Sequence, residues 1–396
     1  MTNAASIIDA PNKERPADHN QEVARALKEY CHFSHAQGFA VMLSGPWGSG
    51  KSHFIESILT DLVPPGKNPE KHKPLRVSLY GLTSPAEISD RLFEQLHPIL
   101  GHKITRLVGA ALRSTLKTTI KFDLADGAEL NGTLPEVDLS AMMRGTGGRV
   151  VIFDDFERAV MSPSVILGYI NPLVEHDDCK VLIIAAEEEI SDQGQYSKRK
   201  EKTVGRTFEF KADAEAAFAA FLGRVDDEQA RRFIAKSKVA VLEVFADSGF
   251  DNLRLLQQSL WDLECLCKAL TGEQRRHEKA MQELVPLVCA AAIELRSGKL
   301  TAEMFRRNDY SHHFAVHVGN PKGETTAVDK IFKKYRTVRF DSTLLEPAII
   351  VDLILKSKVP VQLIRQQLQQ HPYFAKPEEM PSWRALVQLG RLSPEP

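Results

Sequence analysis

Short, unbroken apolar runs alternate with helix-period segments along the first half of the chain. Residues 39–43, 75–80, 149–153 and 179–186 have the continuous apolar character of strands buried on both faces, and residues 206–210 make a shorter fifth run. Between them, residues 53–62, 85–96 and 163–175 place apolar side chains at helical spacing. Strand and helix alternating in this order predict an α/β core with a doubly wound, parallel, five-stranded sheet. From residue 213 to about 296 the pattern turns almost wholly helical, through Phe218, Phe221, Leu222 and Phe233. Gly249 breaks the chain before a helix that Asn252 is placed to cap, with Leu253, Leu256, Leu260 and Leu263 on one face. Residues 347–355 and 360–369 predict two more amphipathic helices. The expected division is a loose leader (1–20), the α/β core (21–212), a helical lid (213–296) and a mainly helical C-terminal domain (297–396).

Composition changes this picture little. The 396 residues are 43% hydrophobic and 26% charged, which is ordinary for a globular protein with a real core. Lys and Arg (51) balance Asp and Glu (52), so a wholly basic nucleic-acid-binding surface is excluded. Local basic patches remain. Residues 97–121 contain Lys103, Arg106, Arg113, Lys117 and Lys121 without an acid, and predict a cationic amphipathic helix, followed by a Gly- and acid-rich loop at 123–148. Residues 330–339 are basic with Phe332, Tyr335 and Phe340 interleaved, the most nucleic-acid-like stretch of the chain. Helices packed by one face and solvated on the other account for both patches more economically than a nucleic-acid surface does.

Five cysteines in an odd count, with no CxxC pair, argue against a disulfide framework and a zinc site. His312, His313 and His317 have no neighbouring carboxylate or thiol that completes a ligand set. No apolar run approaches the ~20 residues of a membrane-spanning helix, and the polar first residues do not read as a secretory signal. A cytoplasmic location is expected.

The chemistry is concentrated in two places. Residues 45–52, Gly45-Pro46-Trp47-Gly48-Ser49-Gly50-Lys51-Ser52, fit GxxxxGK[ST] between an apolar strand and a helix that continues through His53. Such a loop turns successive N–H groups towards phosphate oxygens at a helix N-terminus. Gly45 through His53 are therefore the candidate nucleotide-binding residues, with Lys51 neutralising phosphate charge and the Ser52 hydroxyl holding Mg²⁺. The second place is the acidic end of the 149–153 strand, Asp154-Asp155-Phe156-Glu157-Arg158. Asp154 is the candidate Mg²⁺ ligand; either Asp155 or Glu157 can orient the attacking water. No NKxD guanine-recognition motif follows, so ATP is expected rather than GTP.

The loop at 45–52 resembles the GxWGSGK[ST] loop of the KAP-type P-loop NTPases, and Asp154 to Arg158 resembles their DD-x-[DE]-R Walker B signature. Residues 170–175 and 180–187 are similar to the next segment of bacterial relatives, so the likeness covers roughly residues 25–260. It implies an ATPase whose sheet carries the additional strand of STAND and AAA+ proteins. It also implies a polar sensor after the strand following Walker B, where this chain has Ala186 and then Glu187. The resemblance points to Arg254, at the start of a sensor-2-like helix, and to Lys202 and Arg206 in the basic run 198–206, as groups acting on the γ-phosphate. Asp155, Glu157, Lys51, Arg254 and Arg206 are thus the catalytic candidates, and ATP and Mg²⁺ the cofactors. The resemblance further implies a homo-oligomer or an effector protein subunit as partner, and a bacterial setting in which several relatives serve anti-phage defence. The expected activity is hydrolysis of ATP by a nucleotide-dependent switch or assembly ATPase. An ATP-binding scaffold with little turnover, supported by Ala186, and a nucleic-acid-stimulated ATPase are the alternatives.

Overall fold

The computed structural model describes residues 15–69, 72–96, 120–123, 129–132, 149–177, 179–190, 193–306, 327–356 and 359–374. The predicted cationic helix before residue 120, and His312, His313 and His317, lie outside them. The chain divides into two compact units, Met1–Ala212 and Asp213–Pro396.

The strands are β1 (Ala40–Ser44), β2 (Leu75–Ser78), β3 (Ile120–Asp123), β4 (Glu129–Gly132), β5 (Val150–Asp154), β6 (Lys180–Ala185) and β7 (Val204–Glu209). Five of them form one sheet in the order β2-β5-β6-β1-β7, with every pairing parallel. The continuous apolar runs β1, β5 and β6 take the three central places; β2 and β7, whose residues alternate or face solvent, take the edges. β6 inserts between the strand that leads into the glycine loop and the strand that ends in Asp154, the position expected of an additional strand.

Successive side chains leave opposite faces of each strand, and each face is covered. On one face Val41, Leu43, Ile152, Leu182 and Ile184 pack with Val23 and Leu27 of α1 (Pro16–His32) and Ile55 of α2 (Lys51–Ser57). On the other, Met42, Val151, Phe153 and Ile183 pack with Ile88 and Leu92 of α3 (Pro85–Leu96) and Ile166 and Ile170 of α4 (Pro163–Glu175). The sheet is doubly wound, as its alternation predicts.

Three local expectations need correction, and one helix goes beyond those the sequence predicts. α1 begins at Pro16, inside the expected leader, because Asn20 fastens it: its Nδ2 donates to Lys211 O at 2.8 Å and its Oδ1 accepts from Lys211 N at 3.2 Å. The helix after the glycine loop ends at Ser57 and passes into a 3-10 turn, Leu59–Leu62. The basic run is chiefly helix, α5 (Gln193–Thr203), which leads directly into β7 and is anchored by the buried Tyr196. Finally, β3 and β4 pair antiparallel where a helix end and a loop were expected; Ile120-Lys121-Phe122-Asp123 alternates with period two, as a strand does.

The second unit is helical: α6 (Ala214–Leu222), α7 (Glu228–Lys236), α8 (Lys238–Ser248), α9 (Leu253–Ala269), α10 (Gly272–Arg276), α11 (Glu278–Arg296), α12 (Ala302–Arg306), α13 (Ala327–Lys334), α14 (Pro347–Leu355) and α15 (Val361–Gln370). Residues on both sides of position 297 bury into one core, from Phe218 and Leu260 through Ile293 to Ile350 and Leu368. The basic, aromatic stretch at 330–339 is engaged inside this unit. Phe332 and Phe340 stack at 3.9 Å, Lys334 Nζ reaches Glu294 Oε1 at 2.5 Å, and Arg336 and Arg339 pair with Asp247 and Glu283. Those cations are held by acids of the same unit, which weakens the case for that stretch as a nucleic-acid patch.

Candidate functional site

The site lies at the carboxyl ends of β1, β5 and β6. Leaving β1, the chain turns at Gly45, whose N–H donates to Ala185 O at 3.2 Å. Gly48 (φ 72°) and Gly50 (φ 104°) adopt left-handed angles that bring the loop back into α2. Ser49 is fully buried, and its hydroxyl donates to Pro46 O at 2.8 Å, closing the loop on itself. Lys51 is 8% exposed; its Nζ lies inside the curve, donating to Gly45 O at 2.7 Å and Pro46 O at 2.9 Å. Burial lowers the Lys51 pKa, while Glu157 and Asp154 oppose that shift. Ser52 is half-buried and His53 exposed on the first turn of α2.

Asp154 ends β5 at 3% exposure and gathers three donors. Ser52 Oγ donates to its Oδ1 at 3.2 Å, the Asp155 N–H to the same oxygen at 2.9 Å, and Arg76 Nη2 to Oδ2 at 2.5 Å. A serine hydroxyl and a carboxylate oxygen side by side are hard oxygen ligands of the kind Mg²⁺ takes, so the residues fit that ion. No group of three or more His, Cys, Asp or Glu among the described residues forms a metal site of its own.

Asp155 is the one non-glycine residue with positive φ among the described residues (φ 56°, ψ 39°). Ser78 Oγ donates to its Oδ2 at 2.7 Å. Glu157 is tied differently: Trp47 Nε1 donates to its Oε1 at 2.5 Å and the Ala186 N–H to its Oε2 at 3.0 Å. The Arg158 guanidinium lies over the Trp47 ring at 4.6 Å and near Tyr80 at 5.9 Å, with Nε 3.8 Å from Asp155 Oδ1 and Glu157 Oε1.

The structure therefore brings Gly45–Ser52, Asp154, Asp155 and Glu157 together. Arg206 is exposed on edge strand β7, opposite Val41 and three residues short of the Ser44–Glu209 pair that ends the ladder. Lys202 pairs with Glu175 at 3.8 Å and Lys200 with Glu187 at 2.5 Å. Arg254 belongs to the second unit, where its N–H caps α9 by donating to Asn252 Oδ1 at 3.1 Å. Arg76 and Ser78 were missed by sequence reasoning. Their signal was present: they are the polar positions of an alternating strand, on one face of β2.

A parallel sheet that delivers a glycine loop with a buried lysine beside a strand-end aspartate defines a P-loop NTPase domain. The KAP family P-loop domain model matches residues 20–265. The chain belongs to the KAP family of P-loop NTPases. Comparison with curated proteins finds no match. Among solved structures, the chain is similar to an Aeropyrum pernix ORC2 protein in ADPNP–ADP complexes, at 13% identity and TM-score 0.39, covering 83% of this chain and 87% of that one. It is also similar to the Walker-type ATPase PABY2304 of Pyrococcus abyssi, at 14% identity and TM-score 0.33, covering 83% of this chain and 92% of that one. Membership rests on the family match. No helix among the described residues is long and apolar enough to cross a membrane.

Proposed function

We propose that the first unit binds ATP with Mg²⁺ and hydrolyses it, acting as a nucleotide-dependent switch in a larger assembly. The observation that carries this reading is the 3.2 Å contact between Ser52 and Asp154, residues far apart in sequence that meet beside the buried Lys51. Ser52 and Asp154 would hold Mg²⁺, which when bound neutralises and orients phosphate oxygens. The N–H groups of residues 47, 48 and 50–52 and the Lys51 ammonium cradle the phosphate chain. Asp155 or Glu157 orients a water whose oxygen forms the new bond to the γ-phosphorus as the bond to the ADP oxygen breaks. Arg254 is proposed to couple phosphate state to the helical lid and Arg206 to stabilise charge on the γ-phosphate, roles supported by the family resemblance. Homo-oligomerisation or an effector subunit, and a place in bacterial anti-phage defence, rest on that same resemblance.

The test is ATP binding and phosphate release by the full chain against Lys51→Ala and Asp155→Asn. The expected result is nucleotide affinity lost in Lys51→Ala, and binding kept but release lowered ~10²-fold or more in Asp155→Asn. Ala186 in place of a polar sensor favours a second reading, an ATP-holding scaffold. Tight ATP binding with release equally slow in wild type and Asp155→Asn would select it.

A further inference from the structure

The two acids after Asp154 are held in different ways. The Glu157 side chain is 4% exposed, and each of its carboxylate oxygens already accepts an N–H, one from Trp47 and one from Ala186. The Asp155 side chain is 31% exposed; its Oδ2 accepts from the Ser78 hydroxyl at 2.7 Å, and Arg158 Nε stands 3.8 Å from its Oδ1 without a hydrogen bond. Asp155 also sits in a backbone conformation that costs a non-glycine residue energy, a feature concentrated at working sites.

The Glu157 bridge has a direction in the fold. It starts beyond β5, crosses the end of β6 at the Ala186 N–H, and reaches the glycine loop beyond β1 at the Trp47 indole. The three strands are neighbours in the order β5-β6-β1, so the bridge straps the loop to the other two strand ends. At Ala186 it uses a backbone N–H, so it needs no polar side chain at that position. Arg158 braces it by lying over the face of the same indole.

Resting on the ATPase reading above, we infer that the Trp47–Glu157–Ala186 strap is the γ-phosphate-responsive element of this site. Glu157 is a positioning residue and Asp155 is the acid that orients the water. A γ-phosphate carried in the loop brings anionic charge to a carboxylate whose oxygens are held by two N–H donors, and like charges repel. The hydrogen bond from Trp47 is the link in the strap that belongs to the loop itself. Its strength differs between ATP and ADP, and the difference passes to the end of β6 through Glu157.

The test uses the full chain carrying Asp155→Asn, Glu157→Gln, Trp47→Phe, or Glu157→Gln with Trp47→Phe. Trp47→Phe keeps an aromatic ring for Arg158 while removing the indole N–H together with the rest of the pyrrole ring. Trp47 emission is read in a Trp261→Phe, Trp383→Phe background, which leaves one of the three tryptophans. Asp155→Asn is expected to lower kcat ~10²-fold or more. Glu157→Gln and Trp47→Phe each lower it roughly 10-fold, the scale of one hydrogen bond to a charged group. The double variant falls no further than its worse single, because both changes break the same link. Trp47 emission differs between ADP and a non-hydrolysable ATP analogue, and Glu157→Gln abolishes the difference at an unchanged melting temperature.

The inference is overturned if Glu157→Gln matches Asp155→Asn while Trp47→Phe keeps wild-type kcat. Multiplicative effects in the double variant, or Trp47 emission that is the same in both nucleotides, also overturn it. A wild type that binds no nucleotide or releases no phosphate sinks the ATPase reading and the strap with it, whereas an Asp155→Asn variant that turns over like wild type overturns this inference alone.

Discussion

At the residue scale, the site is built from backbone positions with little tolerance. A Cβ on Gly45 would stand 2.8 Å from Phe210 O, a backbone atom with little freedom to retreat. Gly45→Ala is therefore expected to destabilise the first unit by about 1–3 kcal/mol, as a lower urea midpoint at an unchanged slope. Asp155 presents the opposite case. Glycine adopts φ 56° without penalty, so Asp155→Gly is expected to raise stability by up to ~1 kcal/mol while phosphate release falls. The same urea titration and a release assay check both halves. Residues of the loop and of the Asp154–Arg158 segment were legible because each motif is contiguous and its backbone requirements are local. Arg76 was not, since its approach to Asp154 depends on β2 pairing with β5 in the register Arg76 to Ile152.

At the element scale, the order of strands and helices in the first unit was readable from apolar continuity, and their ends were not. The basic run at 198–206 is divided between α5 and β7, and what settles it is the buried Tyr196 together with the pairing of β7 on β1. In the second unit, α9 and α11 are joined by Asp262, 1% exposed, whose carboxylate accepts two hydrogen bonds from Arg296. Burial pushes the Asp262 carboxyl up, against the pull of that guanidinium. Arg296 also donates to Ile354 O at 3.0 Å, so α14 shares the link. Arg296→Ala leaves a buried acid without its partner and is expected to cost about 3–5 kcal/mol in chemical denaturation. Asn252→Ala, which removes only the cap of α9, is expected to cost about 1 kcal/mol in the same measurement.

At the scale of the molecule, each unit is held by its own hydrophobic core or cores, and the second is continuous across position 297. Ile350 of α14 is 1% exposed within it. Ile350→Ala is expected to lower the stability of that unit by about 2–5 kcal/mol. Faster hydrogen exchange should then appear in α9 and α11 as well as in α14; exchange confined to α14 would deny the shared core. Sequence by itself determined the α/β class, the chain order of the five parallel strands, the glycine loop and the acids after β5. Those follow from apolar continuity and from backbone demands met within a few residues. Only the tertiary structure decided that Arg76 guards Asp154, that Glu157 is tied to Trp47 and Ala186, and that Lys334, Arg336 and Arg339 are engaged by acids of their own unit. Each of these joins segments distant in the chain, so it depends on strand register and packing, which no local pattern carries.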